Sequence, residues 1–211
     1  LLGEAGRRVL AVDADLRRGQ LHRYFGEERG VGLSDAIAGE VPLDQAIRRT
    51  SSANVSLLGT GTLPPNPAEL LGSERFQRLL AELAGRFDVV LVDTPGVNDL
   101  NLQRAEITYG YVPRADAILF LLDAGQILKE SERAFLSGKL LTQSRDKVLF
   151  VVNKTDLLTR EELEETLAYA RANLGKLVPE PRVYPFSATK ALAGERDASG
   201  LAIVTARESA S

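Results

Sequence analysis

The sequence predicts an α/β fold built on a doubly wound, mostly parallel β-sheet. Six short apolar runs alternate with longer stretches in which apolar residues recur at helical spacing. Each run is continuously apolar, which is typical of strands that are buried on both faces of a sheet. Alternation of such strands with amphipathic helices favours parallel strands joined by crossover connections. The runs lie at residues 9–13, 55–59, 89–93, 117–123, 148–153 and 183–187.

Amphipathic stretches between these runs are the predicted helices. Thr159 followed by Glu162 forms a capping box for the last of them. After residue 191 the periodic pattern is lost, so we expect residues 1–190 to form a single domain and residues 191–211 to be a frayed tail. The predicted helices span residues 73–87, 130–143 and 159–175.

The composition is that of an ordinary globular protein, and it excludes several kinds of site. The chain has 211 residues, of which 44% are hydrophobic and none is cysteine, so disulfides and thiolate metal sites are excluded. The single histidine, His22, cannot form a histidine cluster. A net charge of −3 gives no electrostatic reason to expect a nucleic-acid partner. No apolar run approaches the roughly 18 residues that span a bilayer.

Polar side chains stand where several predicted strands end. Asp13, Asp93 and Asn153 each close an apolar run, and another run leads into Ser187. Asp and Asn favour turns after strands, which is a sufficient reason for any one of them. Ligands of open α/β sheets bind at the carboxyl ends of the strands. We therefore expect Asp13, Asp93 and Asn153 on the same edge of the sheet, in a nucleotide site.

The first half of the chain contains a pair of carboxylates and a series of four longer sequence segments. Asp13 and Asp15 can hold Mg²⁺ through water or accept a proton from a hydroxyl. The series VDADLRR, GLSDAIAGE, LPPNPAELLGSERF and FDVVLVDTP resembles the bacterial tyrosine autokinases of exopolysaccharide export, which are deviant Walker ATPases. The resemblance covers about residues 5–95. It implies a kinase-type Walker motif at Asp13 and Asp15, a Walker B aspartate at Asp93, and Mg·ATP as the cofactor.

The second half contains short motifs of a different kind, DTPG and NKTD. In DTPG, Gly96 lets a backbone N–H approach a γ-phosphate closely. NKTD places Asn153 and Asp156 just past a buried strand, and the Asp156 carboxylate can accept both N–H groups of the guanine Watson–Crick edge. Adenine lacks that donor pair. The stem of Lys154 can lie across the base.

A third motif completes this pattern. FSATK contains Ser187, Ala188 and Thr189, and a backbone N–H near Ala188 can meet the guanine carbonyl oxygen. With DTPGVNDLNLQRAEITYGYVPRADAILFLLDAG, these motifs resemble bacterial dynamin-like GTPases over about residues 88–201. The resemblance implies a GTPase that binds Mg·GTP, is cytoplasmic or peripheral at the inner membrane, and belongs to a membrane-associated assembly.

The chain therefore resembles a hybrid of two P-loop NTPase families. Residues 1–95 are kinase-like, residues 96–190 are GTPase-like, and the Walker B strand is common to both. The Walker A pattern G-x-x-x-x-G-K followed by Ser or Thr does not occur in the sequence. In both families the strand before that loop lies in mid-sheet, after the Walker B strand. The predicted strand order is 55–59, 9–13, 89–93, a gap, 117–123, 148–153 and 183–187.

The predicted gap has a structural consequence. Neighbouring strands lie ~4.8 Å apart, so a gap of one strand leaves two unpaired edges about 10 Å apart. Such edges are costly when they are buried. Either they pair directly, or another segment or chain fills the gap, so oligomers through these edges are expected. Because the sequence begins at Leu1 in what reads as the end of a helix, we also expect a longer parent protein.

Three functions follow from these observations. The leading hypothesis is a GTPase-type nucleotide-binding domain, because the base-recognition residues decide which nucleotide fits. The alternative is a kinase-type ATP-binding domain of polysaccharide export, which depends on Asp13, Asp15 and the long kinase-like series. The third is a non-catalytic P-loop-like fold. Preference between GTP and ATP separates the first two.

Overall fold

The structure is a computed structural model that describes residues 2–96, 114–195 and 198–200. The chain divides into two compact units, Leu1–Tyr111 and Val112–Ser211, and each is described by itself. Most of the predicted GTPase switch region, residues 97–113, lies outside the described residues. Within the described ranges, no helix has the length and apolar character needed to cross a bilayer.

The first unit contains a four-stranded sheet in the order β2-β3-β1-β4. Strand β1 pairs in parallel with β3 on one side and with β4 on the other. This is the predicted order of the three apolar runs in this half of the chain. The elements are β1 (Val9–Asp13), α1 (Leu21–Tyr24), α2 (Leu33–Ala38), α3 (Leu43–Ala46), β2 (Ile47–Arg49), β3 (Val55–Leu58), α4 (Pro67–Gly72), α5 (Glu74–Arg86) and β4 (Val89–Asp93).

The core of this unit is built around β1, all five residues of which are buried. Helix α5 packs on β4 and buries Phe76, Leu79 and Leu83 on one face. Burying an aliphatic or aromatic side chain of this size stabilises a fold by roughly 1.5–3 kcal/mol. The helix begins after Ser73, whose hydroxyl accepts a hydrogen bond from the Phe76 N–H at 3.3 Å. Because its buried apolar residues lie on one face, the amphipathic pattern of α5 determines which face covers the sheet.

The register of β1 against β4 is fixed at the amino ends of the two strands. Arg8 donates from its backbone N–H and its guanidinium to Asp88, each at 2.8 Å. The N–H groups of Asp88 and Val89 in turn donate to the Arg8 carbonyl. The Arg8 side chain and N–H hold the pKa of the Asp88 carboxyl at about 2. With this end fixed, Asp13 and Asp93 lie opposite each other at the carboxyl ends.

Strand β2 is a feature that the sequence analysis missed. It pairs antiparallel with β3 at the edge of the sheet. The connection between β2 and β3 is short, and short connections join antiparallel rather than parallel strands. The strand is only three residues long and contains Arg48 and Arg49, which are features typical of protected sheet edges.

The second unit contains a three-stranded parallel sheet in the order β5-β6-β7, as predicted for its three apolar runs. Helical residues between β5 and β6 are distorted over Leu136–Leu140, where Gly138 has a non-helical ψ of −141°. The elements are β5 (Ile118–Asp123), α6 (Glu130–Phe135), α7 (Leu141–Ser144), β6 (Val148–Asn153), α8 (Arg160–Leu174), β7 (Val183–Pro185) and α9 (Ala188–Leu192).

Aromatic packing and a helix cap define this second unit. Phe120 on β5 lies 6.2 Å from Phe135 and 6.0 Å from Phe150 between ring centroids, and all three are buried. The predicted capping box is confirmed: Thr159 Oγ1 accepts from the Glu162 N–H at 3.3 Å, and Glu162 accepts from the Thr159 N–H at 2.8 Å. Both contacts satisfy N–H groups that the first turn of α8 leaves unpaired.

The described strands form two sheets, and the break between them falls at the gap predicted between runs 89–93 and 117–123. The α/β class and the mostly parallel strands are also as expected. Among the described strands, β4 pairs only with β1 and β5 pairs only with β6. Of the predicted tail, Ser199 is buried and its carbonyl accepts from the Ser187 N–H at 2.9 Å.

Replacing Thr159 with Ala should destabilise the second unit by about 1 kcal/mol, the usual value of an N-cap. Thr159→Ser keeps the accepting hydroxyl and should retain most of that stability. Urea denaturation followed by circular dichroism measures both. Equal losses in the two variants would mean that the capping bond contributes nothing.

Candidate functional site

The first unit brings together the three carboxylates that the sequence analysis singled out. Asp13 ends β1 and Asp93 ends β4, and the two are register partners at the carboxyl edge of the sheet. Asp15 lies two residues farther on, where its Oδ1 accepts from the N–H groups of Arg17 and Arg18 at 3.2 and 3.0 Å. These bonds close the turn after β1 and fix Asp15 in it.

Asp13 and Asp93 differ in environment. Asp13 has no exposed surface, and its Oδ2 accepts from the Leu21 N–H at 2.9 Å. Its Oδ1 has no hydrogen-bond partner among the described residues. Asp93 is exposed, so it is the carboxylate that a cation from solvent meets first.

The electrostatics of Asp93 follow from this arrangement. Although Asp93 as a whole residue is exposed, the protein around its carboxyl removes part of that group's water, and this desolvation raises the pKa of Asp93 above the ordinary value. The negative charges of Asp13 and Asp15 raise the pKa further, while the Thr94 N–H lowers it. Asp13 and Asp15 thus repel the charge of Asp93 at the end of β4, and a bound cation would relieve that repulsion.

The donor set fits Mg²⁺ better than a transition metal. Carboxylate oxygens are hard ligands, and Mg²⁺ is usually held by one or two of them together with phosphates and water. Among the described residues, no group of three or more His, Cys, Asp or Glu side chains is arranged to hold a metal ion. A cation held by Asp93 and Asp13 would therefore take its other ligands from phosphate and water.

Gly96, the predicted approach point for a γ-phosphate, is exposed. A Cβ atom placed on it would meet no atom within 4 Å. The fold of the described residues therefore does not itself require a glycine here. Its contact with a phosphate stays a prediction.

In the second unit, the NKTD and SAT motifs are joined by side-chain hydrogen bonds. Asn153 Oδ1 accepts from the Ala188 N–H at 3.0 Å. The Ser187 hydroxyl donates to Asp156 Oδ1 at 2.5 Å and accepts from the Lys190 N–H at 3.1 Å, which caps α9. Ser187 is fully buried, whereas its partner Asp156 is partly exposed. The Asp156 carboxylate is held by one of its two oxygens.

Two details of this pattern differ from a simple base pocket. The Ala188 N–H, which was expected to face a guanine carbonyl, donates to Asn153 instead, so a base would compete for that donor. Lys154 adopts a left-handed conformation with φ of 66°. Its ammonium lies 2.6 Å from Asp123 Oδ2, and this contact lowers the pKa of Asp123. Thr189 is exposed at the start of α9.

Asp123 is a residue of this cluster that the sequence analysis missed. It ends β5 and is the register partner of Asn153 on β6. Its Oδ1 also accepts from the Gly125 N–H at 3.0 Å. Its position in the sequence could have identified it, because Asp123 closes an apolar run, as Asp13 and Asp93 do. It anchors the ammonium of Lys154 and so determines the course of the lysine stem.

Comparisons with known proteins found similarity to both families that the sequence analysis named, but the matches are not confined to the predicted halves of the chain. The family model of the dynamin family matches residues 69–155. The chain is similar to the tyrosine-protein kinase ptk of Acinetobacter johnsonii, with 42% identity over 97 residues, which are 46% of this chain and 13% of that kinase. It is also similar to the tyrosine-protein kinase YwqD of Bacillus subtilis, with 32% identity over 149 residues, 71% of this chain and 60% of that kinase.

A solved structure has a similar fold. The septum site-determining protein MinD from Pyrococcus horikoshii, solved in complex with Mg-ADP, matches with a TM-score of 0.61 and 22% identity over 88% of this chain and 71% of that chain. These relationships are those of a P-loop NTPase. Because likeness to a kinase extends over 71% of the chain, they favour the kinase-type alternative over the GTPase-type hypothesis. The chain spans less than two thirds of either kinase.

Replacing Asp93 with Asn should raise stability at pH 7. A carboxyl whose pKa is raised by folding costs stability wherever it is ionised, so removing its charge relieves that cost. The advantage should shrink as the pH falls through the carboxyl range, because the starting protein then becomes protonated at Asp93. Urea midpoints at pH 7 and pH 4 measure the difference, with the exposed Glu40→Gln as a control that changes little. A less stable Asp93→Asn protein at pH 7 would contradict the argument.

Proposed function

We propose that this chain is a magnesium-dependent nucleotide-binding domain of the bacterial tyrosine-autokinase type, with ATP as its nucleotide. The observation that carries the proposal is the placement of Asp13 and Asp93 as register partners at adjacent strand ends, with Asp15 close enough to raise the Asp93 pKa. Similarity to two tyrosine-protein kinases supports it. The parent protein would be longer than this chain and associated with a membrane assembly.

Each carboxylate has a distinct part in this proposal. Asp93, the exposed one, holds the cation, and the buried Asp13 adds the second negative charge that favours cation binding. Asp15 is held in the turn by one oxygen, which leaves the other able to accept a proton from an attacking hydroxyl. Mg²⁺, when bound, neutralises the charge of the nucleotide phosphates.

Phosphoryl transfer depends mainly on positioning and charge stabilisation around the β- and γ-phosphates. The backbone amides and lysine of a Walker A loop normally supply most of that, and this pattern does not occur in the sequence. Asp93 and Asp13 can hold a cation without it, but they cannot cradle the phosphates. We therefore expect binding without useful turnover from this chain alone.

Isothermal titration calorimetry should detect weak binding of Mg·ATP, with a dissociation constant near millimolar, equivalent to about −4 kcal/mol. Binding should be lost without Mg²⁺ and in Asp93→Ala. The exposed Glu40→Ala, which removes a similar charge away from the strand ends, is the matched control and should bind normally.

The same samples should release no phosphate above background. Micromolar affinity that survives Asp93→Ala would overturn the proposed site. Turnover that Asp93→Ala abolishes would instead mean that another loop replaces the Walker A motif.

A second candidate is guanine recognition in the second unit. The specific observation in its favour is the pair of bonds that hold the NKTD loop against the SAT loop, Asn153 to Ala188 and Ser187 to Asp156. The Ser187 bond orients the Asp156 carboxylate before any base arrives, which reduces the cost of binding, whereas a base would have to displace the Asn153 bond to reach the Ala188 N–H. The dynamin-family match over residues 69–155 also supports it.

Replacing Asp156 with Asn tests this candidate. The substitution exchanges an acceptor for a donor, so it should weaken GTP binding and improve xanthosine triphosphate binding. Each charge-assisted bond to guanine contributes roughly 1.5–3 kcal/mol, so the change is measurable wherever binding is. Competition calorimetry with GTP, ATP and xanthosine triphosphate gives the comparison, and Glu161→Gln on the exposed start of α8 is the control. Equal affinity of the starting protein for ATP and GTP would reject guanine recognition.

A further inference from the structure

A threonine that neither the motifs nor the proposed function uses lies against Asp13. Thr60 follows β3 and is only 2% exposed, and its hydroxyl oxygen has no hydrogen-bond partner among the described residues. Asp13 Oδ1 is buried and unpartnered in the same sense. A Cβ placed on Gly19 would collide with Thr60 Oγ1 and with both oxygens of Asp13, at 2.5 and 2.6 Å for the latter. Two buried, unpartnered polar groups therefore lie side by side against Gly19.

The position of Thr60 is set by the start of helix α2. The Ser34 N–H and hydroxyl both donate to the Thr60 carbonyl, at 3.0 and 2.9 Å. The buried carboxylate of Asp35 accepts from the Gly32 N–H at 2.8 Å and from the Thr62 N–H at 3.3 Å. The bonds to the Thr60 carbonyl and from the Thr62 N–H hold the backbone after the Thr60 side chain, and the Gly59 carbonyl before it accepts from the Leu33 N–H at 2.8 Å. The approach of Thr60 to Asp13 is therefore built into the fold.

Burial explains what such a contact would do. An ionised carboxylate buried without a compensating donor is costly, and the Leu21 N–H serves only one oxygen of Asp13. The Thr60 hydroxyl is an O–H donor that can rotate, and no described acceptor takes its hydrogen. It is thus a donor held beside an acceptor that lacks one.

We propose that Thr60 is a positioning residue for Asp13. Its hydroxyl donates a hydrogen bond, directly or through one water molecule, to Asp13 Oδ1, and so supports the buried charge and fixes the carboxylate beside Asp93. The effect on cation binding rests on the proposed function, whereas the contact itself does not.

The first test compares Thr60→Val with Thr60→Ser in urea denaturation at pH 7. Valine keeps the shape of threonine without the hydroxyl, and serine keeps the hydroxyl without the methyl group. A hydrogen-bonding role predicts a urea midpoint close to that of the starting protein for Thr60→Ser and a clearly lower one for Thr60→Val. The opposite order would mean that Thr60 only fills space, and it would overturn the proposal.

The second test asks whether Thr60 acts through Asp13. In an Asp13→Asn background, Thr60→Val should shift the urea midpoint by less than half of its shift in the starting protein, because neighbouring partners are not additive. Equal shifts would overturn the proposal. Should Asp13→Asn fail to fold, the ¹³C resonance of the Asp13 carboxyl carbon decides: it should move in Thr60→Val and stay in Thr60→Ser, and no movement in either rejects the contact.

The third measurement separates this contact from the proposed function. If the starting protein binds Mg·ATP, Thr60→Val should weaken magnesium-dependent binding about tenfold, the equivalent of 1.4 kcal/mol. The affinity of Thr60→Ser should stay close to that of the starting protein. If the starting protein binds no ATP, the proposed function fails, while the urea midpoints still decide whether Thr60 supports Asp13. Unchanged affinity in Thr60→Val, with ATP bound, rejects the link to the cation.

Discussion

The pairing of β1 with β4 is the constraint on which the candidate site of the first unit depends. Strand β1 is buried along its whole length and hydrogen-bonded on both sides, so it has little freedom to shift. A slip of one residue would turn its side chains to the opposite face of the sheet. The contacts between Arg8 and Asp88 oppose such a slip at one end. Five residues later, Asp13 and Asp93 are consequently opposite each other.

The polar side chains gathered in the two units suit different parts of a nucleotide. In the first unit, buried and exposed carboxylates collect at the ends of β1 and β4, which suits a cation and phosphates. In the second, Asn153, Asp156 and Ser187 form a hydrogen-bonded frame that suits the edge of a base. Each group is organised by contacts within its own unit.

The relationships with known proteins change the weight of the functional hypotheses. Base-recognition motifs gave the GTPase hypothesis its lead, because they determine nucleotide choice directly. A motif of four residues, however, samples little of the chain, whereas likeness to a kinase extends over 149 residues. The frame around Asp156 remains the specific feature that a kinase-type hypothesis does not use, and it keeps guanine recognition as the second candidate.

Periodicity and motif spacing in the sequence were sufficient for the α/β class, the capping box at Thr159 and the carboxylates at strand ends, because these depend on local pattern. The order of the predicted strands came from the resemblance to two families. Only the tertiary structure decided the rest. Edge strand β2 and the Lys154–Asp123 pair depend on which segments meet in space. Thr60 is the clearest case: it lies 47 positions from Asp13 in the sequence, and nothing in its local pattern marks it. The clamp formed by α2 brings its hydroxyl to that carboxylate, since hydrogen bonds between distant segments leave no periodic trace in a sequence.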